Sequence, residues 1–182
     1  AAAGKEIMLH LPMEAQGGAD PGPGAVSSRM SDSDILRTIE ENLGSVPGAV
    51  GMNNHMGSAG TADARLMELV LAEAKRRGLF FVDSRTTVST VGRSVAAYIG
   101  TPFAERNVFL DNERTRQAIL ESLRGALLLS HTQEFVVMIG HATVAELAEV
   151  LNEVYPILSE RGYQFGRISE LVEPPHVTAG NL

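Results

Sequence analysis

Apolar and polar positions along the chain follow two alternating rhythms. Short, nearly continuous apolar runs occur at residues 6–11, 49–52, 79–82, 107–111 and 135–141, the pattern of strands buried in a parallel sheet. Between them apolar residues return at helical spacing: Ile35, Leu36, Ile39 and Leu43, then Leu66, Leu69, Val70 and Ala74, then Ile119, Leu123, Ala126 and Leu127. Ser31-Asp32-Ser33-Asp34 opens the first of these helices, and Gly44 and Pro47 close it. Thr61 opens the second, which ends in the basic turn Lys75-Arg76-Arg77 before Gly78, a solvated helix end suited to the helix dipole. A shorter helix is expected over 91–99, closed by Gly100 and Pro102. Asp111 is expected to cap the helix running to about Ser130, and Thr143-x-x-Glu146 reads as a capping box for a helix reaching Arg161-Gly162.

Breakers divide the remainder. Pro12 is expected to stop the first strand, and residues 15–26, with Gly17-Gly18 and Pro21-Gly22-Pro23-Gly24, form a long loop beside its end. A last strand is expected at 163–168, followed by a frayed tail from residue 173. Ala1-Ala2-Ala3-Gly4-Lys5 reads as the end of a helix leading into the first strand, so an earlier part of the domain is expected upstream. The strand–helix repetition places the chain in the α/β class with a mainly parallel sheet, and an open doubly wound sheet and a closed barrel fit it equally.

Composition narrows the chemistry more than the fold. At 182 residues the chain suits one domain. With 15 Lys plus Arg against 22 Asp plus Glu and a formal charge of -7, general attraction to nucleic acid is not expected. There is no cysteine, which removes disulfides, thiolate zinc sites and cysteine nucleophiles together. No apolar run approaches the roughly 18–20 residues of a transmembrane segment, and no signal peptide opens the given chain.

Polar residues gather at the expected strand ends: His10 and Glu14; Asn53, Asn54, His55 and Ser58; Asp83, Ser84 and Arg85; Asp111; and His141. In a parallel sheet these ends share one rim. Singly, each has a bland reading: a hydrogen-bonded structural histidine, a helix cap at Asp111, a surface ion pair of Asp83 with Arg85. Together, three histidines and several carboxylates without cysteine make a ligand set for zinc or a similar divalent ion, which supports hydrolysis of an amide or ester. A further histidine outside the metal shell could protonate the leaving group. His131 and His176 are assigned no role.

The motifs resemble those of the divergent polysaccharide deacetylase family. The matching stretches are His10-Leu11-Pro12-Met13-Glu14, Pro21-Gly22-Pro23-Gly24-Ala25, the run from Val46 through Asn53-Asn54-His55-Met56-Gly57-Ser58, the run Arg77 to Thr86 with Phe81-Val82-Asp83-Ser84-Arg85, Val108-Phe109-Leu110-Asp111 and Ile139-Gly140-His141. The resemblance implies an α/β fold built as a distorted (β/α) barrel of about seven strands over residues 1–172. It further implies a divalent metal, most often zinc, and removal of acetyl groups from amino sugars of an envelope glycan, in the periplasm or cell envelope. His10-x-x-x-Glu14 stands where the superfamily has His-x-x-x-His, so His10, His55 and Glu14 are the expected metal ligands. His141 and Asp83 are the expected catalytic residues, with Asn53, Asn54, Ser58 and Arg85 on the substrate. The chain contains no Asp-Asp pair; the strand that carries it in the family would lie upstream of Ala1, so the barrel here is expected to lack its first one or two strands. Ala142 replaces the proline that usually follows the late histidine. Two other functions fit the same rim: a non-catalytic carbohydrate-binding or envelope-scaffold protein, against which the scarcity of aromatic residues (three Tyr, six Phe and no Trp) argues weakly because sugar platforms stack on aromatic rings, and an amidohydrolase acting on something other than sugar. Substrate, metal identity and oligomeric state stay open.

Overall fold

A computed structural model of the chain describes residues 4–172. The start of the expected N-terminal helix end, at residues 1–3, and the tail with Pro174, Pro175, His176 and Gly180 lie outside the described residues. Among the described residues, those up to Glu105 together with residues 169–172 form one compact unit, and Arg106–Ile168 form a second.

The first unit repeats strand and helix in strict alternation. Its elements are β1 (Ile7–Met13), α1 (Asp32–Ser45), β2 (Ala49–Met56), α2 (Ala64–Arg76), β3 (Phe80–Asp83), α3 (Gly92–Ile99) and β4 (Phe103–Glu105). The four strands are parallel and lie in sequence order, β1-β2-β3-β4. A doubly wound sheet reverses its order at a switch point, and none occurs here. Successive crossovers of one hand therefore stack all three helices on one face. That face carries the core: Leu9, Leu11, Met13, Met52 and Phe81 pack against Ile35 and Ile39 of α1, Leu66, Val70 and Leu71 of α2, and Val95 of α3. The sheet is α/β and parallel as expected, and its four described strands leave it open.

Several boundaries differ from the sequence expectation, each for a local reason. Pro12 lies inside β1 instead of ending it, and the ladder with β2 runs on through Met13↔Met56. The Pro12 carbonyl accepts from Val26 N at 3.0 Å, on the side away from β2. In extended backbone the N–H and C=O of one residue point the same way, so the missing N–H faces the sheet edge, where proline is tolerated. β2 likewise reaches Met56 and takes Asn53, Asn54 and His55 into the strand, since backbone pairing is indifferent to their polarity. The second helix starts at Asp63, whose Oδ1 accepts from Leu66 N at 2.8 Å, because the Thr61 hydroxyl is used on the Gly57 carbonyl. β4 was not anticipated: at three residues it is too short to show a period.

The second unit comprises β5 (Val108–Phe109), α4 (Arg116–Leu129), β6 (Met138–Ile139) and α5 (Ala145–Glu160). β5 and β6 pair in parallel, Val108 opposite Met138 and Phe109 opposite Ile139. Its core joins Leu110, Ile119 and Leu123 to Val144, Leu147, Val150 and Leu158. Asp111 does not cap α4; Thr115 does, its hydroxyl accepting from Ala118 N at 3.3 Å. The Thr143-x-x-Glu146 box does not form either, for α5 begins after Val144 without a side-chain cap. β6 is shorter than the apolar run 135–141, and residues 163–168 form no strand. Gly162 turns left-handed at φ 89, and Tyr163 N then bonds Leu158 O at 3.1 Å, closing α5 and directing Tyr163 onto the core.

Candidate functional site

The pleat sorts the polar strand ends before any side chain is considered. Successive side chains alternate faces. Leu9, Leu11 and Met13 face the helices, so His10 faces the other side; Met52 and Asn54 face the helices, so Asn53 and His55 face with His10. Phe81 faces the helices, and Asp83 shares its parity. One rim thus carries two groups, divided by the sheet.

On the helix-free face His10 stands opposite Asn53 in register. Nδ1 of His55 lies 3.0 Å from Nε2 of His10, with the rings edge to face at 65°. Nδ1 of His10 lies 3.1 Å from Oδ1 of Asn53, and Asn53 Nδ2 donates to Ser84 Oγ at 3.3 Å. Two imidazole nitrogens facing at 3.0 Å share one proton between two lone pairs. A divalent ion replaces such a proton readily: two nitrogens bound at about 2.0–2.1 Å in a tetrahedron lie roughly 3.3 Å apart. His10 and His55 therefore fit two corners of a zinc shell. Among the described residues no group of three His, Asp or Glu side chains comes together as a metal cluster.

The other rim residues serve the strand-end loops. Glu14 turns to Ser28, accepting its backbone N–H at 2.9 Å and its hydroxyl at 2.8 Å, which holds the carboxyl below its usual range. Ser58 Oγ accepts Gln16 N at 2.9 Å. Both thus pin the loop that follows β1. Asn54 is buried, its amide donating to Met56 O at 2.7 Å and accepting from Ser84 N at 2.8 Å. Asp83 is fully buried; Oδ1 accepts Arg85 N at 2.7 Å and Oδ2 accepts the Thr90 hydroxyl at 2.5 Å, so it ties the loop between β3 and α3. Burial pushes the Asp83 carboxyl up, against the pull of those two donors. Arg85 faces Glu105 at 3.4 Å, a carboxylate shared with Arg93. Met56 and Arg85, at neighbouring strand ends, hold left-handed φ of 52° and 48°, conformations that cost a non-glycine residue energy and cluster at functional sites.

In the second unit Asp111 is the residue that sequence reasoning misread. Its buried carboxylate accepts His141 N at 2.8 Å and lies 3.2 Å from His141 Nδ1 through either oxygen. The His141 side chain is half exposed and its ring packs at 5.3 Å from Phe109, over which the Arg106 guanidinium sits. A carboxylate on Nδ1 fixes the imidazole's orientation and leaves Nε2 for proton transfer.

Comparison with known proteins adds the following. A family model described as divergent polysaccharide deacetylase matches residues 1–172. An uncharacterized protein of Haemophilus influenzae is 30% identical over 76% of the chain and 49% of its own length. YibQ, an uncharacterized protein of Escherichia coli K12, is 30% identical over 96% of the chain and 54% of its own length. The chain therefore spans about half the length of the curated relatives it matches. A crystal structure of an uncharacterized protein, ATU2773, from Agrobacterium tumefaciens C58 superposes with a TM-score of 0.88 at 23% identity, covering 92% of this chain and 68% of that one, a likeness of fold.

Proposed function

The chain belongs to the divergent polysaccharide deacetylase family, and from that premise we propose that it is a metal-dependent hydrolase removing acetyl groups from amino sugars of an envelope glycan. The observation that carries the proposal is the His10–His55 pair, two imidazole nitrogens 3.0 Å apart on an open sheet face. These two side chains would hold the metal, with zinc, the ion the family resemblance implies, among those an imidazole donor set suits. Bound there, the ion supplies Lewis-acid chemistry toward an amide carbonyl. Asn53 holds His10 by its Nδ1, and Arg85 and Ser58 are assigned to the substrate side of the rim. Glu14, Asn54 and Asp83 act through the loops and strand ends they tie. Hydrolysis adds water across the C–N bond and releases acetate and a free amino sugar; the general-acid role is the one the family resemblance assigns to His141, whose Nδ1 faces the Asp111 carboxylate and whose Nε2 is left for proton transfer. With this reading goes the rest of the family expectation, a (β/α) barrel at work in the periplasm or envelope; the unreversed strand order β1-β2-β3-β4 supports the barrel, and the location rests on the family resemblance alone.

The test is acetate release from N-acetylglucosamine oligomers by zinc-supplied protein, with His10→Ala and His55→Ala as controls. Release that both substitutions abolish is expected. Glycan binding without acetate release would replace the hydrolase with a carbohydrate-binding protein on the same fold.

A further inference from the structure

Four side chains on the helix-free face form a hydrogen-bonded line whose direction is set from one end. It begins at the backbone carbonyl of Asn54, which only accepts; the Ser84 hydroxyl donates to it at 2.9 Å. Having spent its one proton, Ser84 Oγ meets Asn53 as an acceptor, and of the two amide atoms only Nδ2, at 3.3 Å, can donate. The Asn53 amide is thereby oriented without assuming which end is nitrogen, and Oδ1 is left facing His10 Nδ1 at 3.1 Å. A carbonyl oxygen accepts, so His10 Nδ1 bears the proton and Nε2 of the neutral ring is bare. His55 Nδ1, 3.0 Å from that lone pair, must then carry a proton of its own.

We propose that Ser84 and Asn53 are positioning residues that fix both histidines as Nδ1–H tautomers, presetting His10 Nε2 as a ligand lone pair. The inference rests on the metal-centre reading above for its purpose, not for its geometry. It makes the two histidines unequal. His10 receives an ion without rearrangement, whereas His55 must move its proton from Nδ1 to Nε2 before Nδ1 can share that ion. No proton is lost in this step; it changes nitrogen within one ring. Outer partners of this kind tune metal affinity by orienting the ligating ring.

The experiment is imidazole nitrogen NMR on the whole metal-free chain, with long-range proton–nitrogen correlations separating protonated from bare ring nitrogens and His10→Gln and His55→Gln assigning the signals. The relay predicts Nδ1–H at both His10 and His55 in the wild type. Asn53→Leu leaves His10 a mixture of tautomers, and Ser84→Ala does the same by freeing the Asn53 amide to turn over. Asn53→Asp restores Nδ1–H, because a carboxylate also only accepts. Titration with zinc alone then moves the His55 proton to Nε2 and leaves His10 unchanged, and Asn53→Leu weakens zinc binding roughly 10–100-fold while Asn53→Asp does not. A wild-type His10 protonated at Nε2 overturns the proposal without reference to any variant, as do unchanged tautomers in folded Asn53→Leu and Ser84→Ala. Predicted tautomers in a protein that takes no zinc would sink the metal centre and leave the relay standing.

Discussion

Replacing Asp83 with asparagine isolates a buried charge whose effect on stability runs opposite to that of most carboxylates. Asp83 is fully buried, and its oxygens receive Arg85 N and the Thr90 hydroxyl. Asparagine keeps one acceptor and turns an N–H toward Thr90, so one bond to a charged group is lost, worth about 1.5–3 kcal/mol. Relief of the cost of burying the charge offsets part of this, leaving a destabilisation of about 1–2 kcal/mol at neutral pH. Alanine strands both donors and costs on the order of 2–4 kcal/mol. The sign with pH follows from the folded carboxyl lying above its usual value, with burial as the main cause. Between the unfolded aspartate value of about 3.9 and the higher folded one, the folded state binds more protons, so wild-type stability attributable to Asp83 rises as pH falls. Asparagine lacks the group. The gap between wild type and Asp83→Asn therefore widens toward acid and is smallest at neutrality. Urea unfolding of both proteins at stepped pH, followed by far-UV circular dichroism, measures it. A gap that is flat, or that widens toward neutral pH, would refute burial as the dominant influence on Asp83.

Other perturbations probe different parts of the unit cores and rims. A methyl group on Gly51 would enter the Phe80 ring, so Gly51→Ala costs about 1–3 kcal/mol by overpacking, read as a lowered Tm that Phe80→Leu partly restores. Glu14→Gln loosens the loop held at Ser28, at a cost of no more than about 1 kcal/mol after allowing for solvent screening. Because the Glu14 carboxyl is held below its usual value, first by the Ser28 N–H, its contribution is present above the unfolded glutamate value and fades as pH falls through the folded one; denaturant midpoints across that range should converge with those of the variant. Asp111→Asn removes the charge that orients His141, and acetate release should fall roughly 10-fold or more with the circular dichroism spectrum unchanged.

The elements were legible where a period had room to repeat. β1, α1, α2 and α3 announce themselves through runs such as Ile35, Ile39 and Leu43, and Ser31 caps its helix as its sequence indicates. β4 was invisible because three residues carry no period, and the end of β2 because Asn53, Asn54 and His55 look like loop residues while their backbone pairs in the ladder. The strand expected at 163–168 failed to a helix-closing turn at Gly162 and Tyr163. Site residues were legible as a list and not as a geometry. The alternation of Leu9, Leu11 and Met13 was in the sequence, and applying it to the rim would have set His10, Asn53 and His55 apart from Asn54 and Asp83. Asp111 was harder, since an aspartate shortly before a helix is a usual cap signal, and its true partner, His141, is 30 residues away. The turn of Glu14 toward Ser28 depends on the path of the glycine- and proline-rich loop, which no local pattern encodes.

The central claim is that His10 and His55 hold a divalent ion together. Elemental analysis of protein purified under zinc-replete conditions, followed by calorimetric titration of the stripped protein with zinc, tests it directly. The geometry predicts about one equivalent of zinc in the wild type, with the bound metal lost in both His10→Ala and His55→Ala. A wild-type protein that carries no metal, or substituted proteins that bind zinc as tightly as the wild type, would contradict it.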